Sequence, residues 1–66
     1  MQLTINGKPE NLEVSNISDV LKAKDIDPQL VAVELNTHMI DNDQLATTSV
    51  KDGDKLEFLF FMGGGR

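Results

Sequence analysis

Apolar and polar residues alternate at the start of the chain: Leu3 and Ile5 with Gln2 and Thr4, then Leu12 and Val14 with Asn11 and Glu13. A period of two puts one side-chain set on each face of a pleated backbone, so both stretches read as half-buried strands. Asn6-Gly7 lies between them. That dipeptide readily takes the positive φ angles of a tight turn, which makes the first third an antiparallel hairpin. The period then changes. Ile17, Val20, Leu21 and Lys24 fall three and four apart, so a helix over about Ile17 to Lys24 buries one apolar stripe. Asn16 is placed to cap it, Asp19 completes a capping-box-like pair at the positive helix end, and Pro28 keeps the helix from running far.

Leu30-Val31-Ala32-Val33-Glu34-Leu35 is apolar at nearly every position and rich in β-branched residues, as an interior strand requires. Asn36-Thr37-His38 turns the chain, and Met39 and Ile40 form a short returning strand. The polar stretch from Asp41 to Ser49 is a loop pinned by Leu45. Lys51-Asp52-Gly53-Asp54 is a second turn signal, leading into the last strand, Leu56-Glu57-Phe58-Leu59-Phe60-Phe61. The resulting order is β-β-α-β-β-β, an α+β layering in which the helix is the sizeable element that can cover one sheet face. If Leu56, Phe58 and Phe60 face the helix, Leu59 and Phe61 fall on the opposite face, an apolar patch for docking a partner together with Met62; the alternative is that loops cover both sets.

Composition narrows the function. The chain has 66 residues, and a domain of about 60 residues buries only about 60% of its unfolded surface, which leaves little room for an enclosed catalytic cleft. An autonomous enzyme is not expected. The absence of cysteine removes disulfides, thiolate metal sites and a cysteine nucleophile. No leader pattern and no run near the ~20 apolar residues of a membrane span is present, so the expected location is the cytoplasm. Eleven acidic against six basic residues give a formal net charge of −5. Phosphate backbones repel such a surface, and the chain has no Tyr or Trp for base stacking, so no nucleic-acid partner is expected. The acidity suits a basic patch on a protein partner, and it serves solubility equally well.

Gly63-Gly64-Gly65 follows the last strand, and Arg66 follows the glycines. The division expected is a domain over 1–61 and a flexible glycine tail over 62–66, which extended over Met62 to Gly65 reaches about 13 to 14 Å. Glycines let a chain end pass a narrow slot and bend there without side-chain clashes. A terminus that simply frays has the same composition.

The chain resembles the small sulfur carrier proteins of thiamine biosynthesis known as ThiS, ubiquitin-like domains of β-grasp fold. The residues that carry the resemblance are Leu3-Thr4-Ile5-Asn6-Gly7, Val31-Ala32-Val33-Glu34-Leu35-Asn36, Val50-Lys51-Asp52-Gly53-Asp54-Lys55-Leu56-Glu57 and the ending Phe61-Met62-Gly63-Gly64-Gly65. The resemblance implies a mixed sheet of about five strands with the first and last strands parallel at its centre. It implies a protein co-substrate, monomeric when free and binding no cofactor, whose terminal glycine is adenylated by an E1-like, ThiF-type partner using ATP. Sulfur from a donor protein then displaces AMP, and the thiocarboxylate, at Gly65, delivers sulfur to a ThiG-type thiazole synthase. A carboxylate is anionic at neutral pH and resists nucleophilic attack until it becomes a mixed anhydride. Arg66 departs from the pattern, because an arginine after the glycines must be removed or tolerated; an added residue or a carrier that has lost the reaction gives the same ending. A molybdopterin-synthase-type carrier subunit and a non-covalent ubiquitin-like interaction module share the fold.

His38 is the only histidine, and a lone turn histidine without a second histidine or ordered carboxylates is solvated rather than a ligand. Asp41, Asp43, Asp52 and Asp54 do not have the spacing of an EF-hand loop, and turn roles account for them. No metal site and no catalytic residue is expected.

Overall fold

The computed structural model describes residues 1–61. Their elements are β1 (Gln2–Ile5), β2 (Lys8–Asn11), α1 (Ile17–Ala23), β3 (Val31–Leu35), β4 (His38–Ile40) and β5 (Lys55–Phe60), with single 3-10 turns at Pro28–Leu30 and Asn42–Gln44. The sheet order is β2-β1-β5-β3-β4. β5 is central, parallel to β1 and antiparallel to β3, and the two hairpins supply the outer strands. This is the expected α+β, β-grasp architecture.

The first hairpin forms for the reason its sequence suggests. Asn6 and Gly7 have φ of 49° and 82°, the two positive values that a two-residue turn matching strand twist requires. That turn sets the register at Ile5↔Lys8 and Gln2↔Asn11, so β2 is Lys8–Asn11 and ends before Leu12 and Val14, the pair expected to lie in it. β1 begins at Gln2, the partner of Asn11, and past that pair Leu12 donates its amide to Met1 O at 2.9 Å. Leu12 and Val14 keep their alternation in a half-buried extended stretch packed against the core. Pro9 is tolerated because β2 is an edge strand, with no neighbour on its outer side needing a donor.

Helix α1 is capped as expected, Asn16 Oδ1 accepting from Asp19 N at 2.8 Å, while the Asp19 carboxylate accepts from Ser15 N at 3.0 Å. The loop after β4 meets the other amides of the first turn: Ile17 N donates to Thr48 O and Ser18 N to Leu45 O. The helix ends well before Pro28. Asp25, at φ 59°, donates to Lys22 O, and Ile26 donates to Leu21 O, the pair of bonds of a Schellman cap with aspartate in the position glycine usually takes.

Ile17, Val20 and Leu21 bury their stripe against Leu3, Ile5, Val31, Val33, Leu56 and Phe58, with Leu45 and Val50 closing the side of the core. Leu45 thus pins its loop as expected. His38 is the first residue of β4 rather than part of the turn, because Asn36 and Thr37 at φ 48° and 75° complete a two-residue reversal; the ring is exposed. Asp54 is buried, and its carboxylate accepts from Lys51 N and Asn36 Nδ2 at 2.7 and 3.0 Å. Asp52 accepts from Gln2 N at 2.6 Å. Among the described residues no helix is long and apolar enough to cross a membrane.

Candidate functional site

The site is the end of β5, from which the glycine run continues in sequence. Its rigidity comes from the strand's central place. On one side β3 pairs with β5 along its length from Leu35↔Leu56 to Val31↔Phe60, and Phe61 N extends the ladder to Leu30 O at 2.9 Å. On the other side β1 pairs only to Ile5↔Leu56. Beyond it, the side chain of Asn6 substitutes for a strand: Oδ1 accepts from Phe58 N at 2.7 Å and Nδ2 donates to Phe58 O at 3.4 Å. Asn36, the first residue of the other hairpin turn, does the same at the strand's beginning, accepting from Lys55 N at 2.9 Å. Two asparagines in left-handed conformation, one from each hairpin, therefore clamp the central strand near its two ends.

Past Asn6 the strand emerges from its cover, and its side chains become exposed. Leu59 is 55% exposed, Phe60 54% and Phe61 60%, and neighbouring Leu30 55%. These residues form an apolar collar where the described chain ends. Phe60, expected in the core with Leu56 and Phe58, departs from that expectation: both of those are buried, but Phe60 lies beyond β1's last pairing and borders an open hollow with Ile5, Asn6, Lys24, Ile26 and Phe58. Lys24 and Glu10 form an ion pair at the rim of that hollow. Phe61 is exposed as well. It follows the last strand residue and borders a hollow with Val31, Val33, Ile40 and Leu45, which belong to or pack on the helix-side core, whereas Leu59 borders one with Glu34, Thr37, Lys55 and Glu57 on the helix-free face. Leu59 and Phe61, both exposed, thus flank the end of the strand.

Met62, Gly63, Gly64 and Gly65, together with the 62–66 tail and Arg66, lie outside the described residues. Sequence reasoning missed Leu30 and Phe60 as collar residues and Asn6 and Asn36 as clamps. Leu30 sits in an apolar run that reads as strand throughout, and the clamps require knowing that two distant turns flank one strand.

Comparison with known proteins places the same chain end in a wider setting. The model of the ThiS family matches residues 3–65, from the first core residue of β1 through the last glycine. The crystal structure of a thiamine biosynthesis protein (ThiS) from Geobacter metallireducens superposes with a TM-score of 0.84 at 42% identity, covering 98% of this chain and 100% of that one. A thiazole synthase of Paramagnetospirillum magneticum is 39% identical over 66 residues, covering 98% of this chain and 20% of the relative. The chain spans about a fifth of that relative's length and of a second thiazole synthase, from Magnetococcus marinus. An uncharacterized protein, ycf40, of Pyropia yezoensis is 33% identical over 98% of this chain and 93% of its own length.

Proposed function

The chain belongs to the ThiS family, and on that premise we propose that it is a sulfur carrier of thiamine biosynthesis, a protein that reacts at its own chain end rather than catalysing a reaction. Once the Gly65 carboxylate is free, it attacks the α-phosphorus of ATP on an E1-like adenylating enzyme. Pyrophosphate leaves and a glycyl adenylate forms. A reduced sulfur nucleophile then attacks the activated carbonyl, AMP leaves, and the resulting thiocarboxylate hands its sulfur to a thiazole synthase. The observation that carries this reading is the family match reaching Gly65, in a fold whose central strand is the last element before the glycine run in sequence. Similarity to relatives named thiazole synthase supports the acceptor. The collar of Leu30, Leu59, Phe60 and Phe61 fits the carrier role, since a partner that takes the tail must seat the domain around its exit.

Gly65 is followed by Arg66. A peptide carbonyl is not a substrate for adenylation, so that bond must be hydrolysed first. The test is ATP–pyrophosphate exchange with the purified adenylating enzyme of the same organism, comparing chains that end at Gly64, Gly65 and Arg66. Only the Gly65 form should react at full rate, and shortening to Gly64 should lower the rate at least about a hundredfold, because the reacting carboxylate is drawn back from its near-attack position. Equal reaction of the untrimmed Arg66 form rules out trimming. No reaction of any form favours a non-covalent interaction module.

A further inference from the structure

The Asn6-Gly7 turn carries a reactivity that its attachment to β5 holds back. An asparagine side chain can be attacked by the backbone nitrogen of the next residue, and the attack is least obstructed when that residue is glycine, with no side chain beside its nitrogen. Asn6 meets that condition, whereas the other asparagines precede Leu12, Ile17, Thr37 and Asp43. Both turn residues are exposed. Nothing lies within 4 Å of the position that a Cβ on Gly7 would take, so water and hydroxide reach the pair. Against this stand the bonds to β5. Asn6 N donates to Leu56 O at 2.9 Å, and the side-chain amide accepts from Phe58 N at 2.7 Å and donates to Phe58 O at 3.4 Å. Ring closure brings Asn6 Cγ onto Gly7 N and draws the amide away from Phe58, so the two side-chain bonds break before the reaction proceeds.

We propose that Asn6 is a deamidation site gated by its clamp on Phe58, and that its conversion to isoaspartate unfastens the end of β5. When the clamp opens, Gly7 N bonds to Asn6 Cγ and gives up its proton to solvent base. The Cγ–Nδ2 bond breaks, and Nδ2 takes up a proton and leaves as ammonia. Water then opens the cyclic imide at either carbonyl. Opening at Cγ gives aspartate. Opening at the main-chain carbonyl gives isoaspartate, in which Gly7 N stays bonded to Cγ and the former main-chain carbonyl has become the carboxylate. The backbone now runs through Cβ and Cγ, so the lengthened turn no longer fits the Ile5↔Lys8 register. The side-chain amide that served both backbone groups of Phe58 is gone. Phe58 lies beyond the last β1 pairing, Ile5↔Leu56, so no strand replaces the lost bonds on that side.

The test is the full chain held for days at physiological temperature, without urea, in urea below its midpoint and in urea above it. Isoaspartate is located by tandem mass spectrometry of the peptides and by methyl transfer from a purified isoaspartyl methyltransferase. The folded chain should convert at Asn6 and at no other asparagine, at least about fivefold more slowly than the unfolded chain, the protection that the two clamp bonds confer. Urea below the midpoint should change the folded rate little, because opening the clamp exposes little surface. In the isolated isoaspartyl chain the Phe58 amide should exchange its hydrogen at least about tenfold faster than in the parent, while the amides of α1 stay protected. No isoaspartate at Asn6 in the folded chain removes the site. Equal rates in the folded and unfolded chains, or a rate that climbs steeply with urea below the midpoint, show that the clamp is not the gate. A Phe58 amide as protected as the parent's, or loss of protection throughout α1, overturns the unfastening of β5.

Discussion

Asn6 has two separable roles at one position. Its φ of 49° places the backbone where L residues other than asparagine and aspartate are strained by about 1–2 kcal/mol, and its amide side chain serves both backbone groups of Phe58. Three substitutions separate the effects. Asn6→Gly keeps the turn and loses the clamp, so it should cost about 1 kcal/mol, the usual net worth of a hydrogen bond. Asn6→Ala loses both and should cost about 2–3 kcal/mol. Asn6→Asp retains the 2.7 Å acceptor and the turn conformation but sets a carboxylate oxygen against Phe58 O in place of the 3.4 Å donor, so it should cost at least as much as Asn6→Gly and less than Asn6→Ala. Urea denaturation gives the order. If Asn6→Gly is as damaging as Asn6→Ala, side-chain clamping rather than turn strain accounts for the whole effect.

The two hairpins differ most at the second turn residue, Gly7 at φ 82° in one and Thr37 at φ 75° in the other. A β-branched residue is poorly suited to that conformation. Thr37→Gly should therefore stabilise the domain by up to about 1 kcal/mol, the relieved strain less the added freedom of the unfolded chain. An unchanged or lowered thermal midpoint would mean that the Thr37 side chain makes compensating contacts. The contrast also marks where sequence sufficed. Asn6-Gly7, the Ile17-Val20-Leu21 stripe and the Asn16 cap follow from local rules and appear as expected. What the sequence left out depended on partners distant along the chain. Leu12 and Val14 alternate like a strand, but β1 has run out where they would pair. Phe60 and Phe61 alternate like core and surface, yet β5 outruns β1 and then ends, so both are exposed. Asp25 closes α1 without the glycine that would have announced a Schellman cap.

At the scale of the whole molecule, the apolar core and the apolar collar share one central strand. Leu56 and Phe58 are sealed under α1, and within two residues the same strand presents Phe60 and then Phe61 to solvent. An acidic protein of this size would be expected to cover or dispense with such a cluster unless a partner covers it. Phe61 tests this most directly because it is the last described residue before the tail. It lies outside β5, although its amide is tied to Leu30 O. Phe61→Asp leaves that backbone bond available and removes little buried surface, so the loss of stability should be under about 1 kcal/mol. In a complex, however, the new carboxylate would be desolvated against whatever covers the collar. The expected outcome is a rise of about tenfold to thirtyfold in Kd for the adenylating enzyme, the effect of losing an aromatic anchor worth about 1.4–2 kcal/mol. Calorimetric titration alongside a urea melt separates the two quantities. A folded Phe61→Asp protein that binds as tightly as the parent would exclude Phe61 from the interface, leaving Leu59 and the helix-free face to seat the enzyme. Loss of the fold would instead assign Phe61 to the core that its hollow borders.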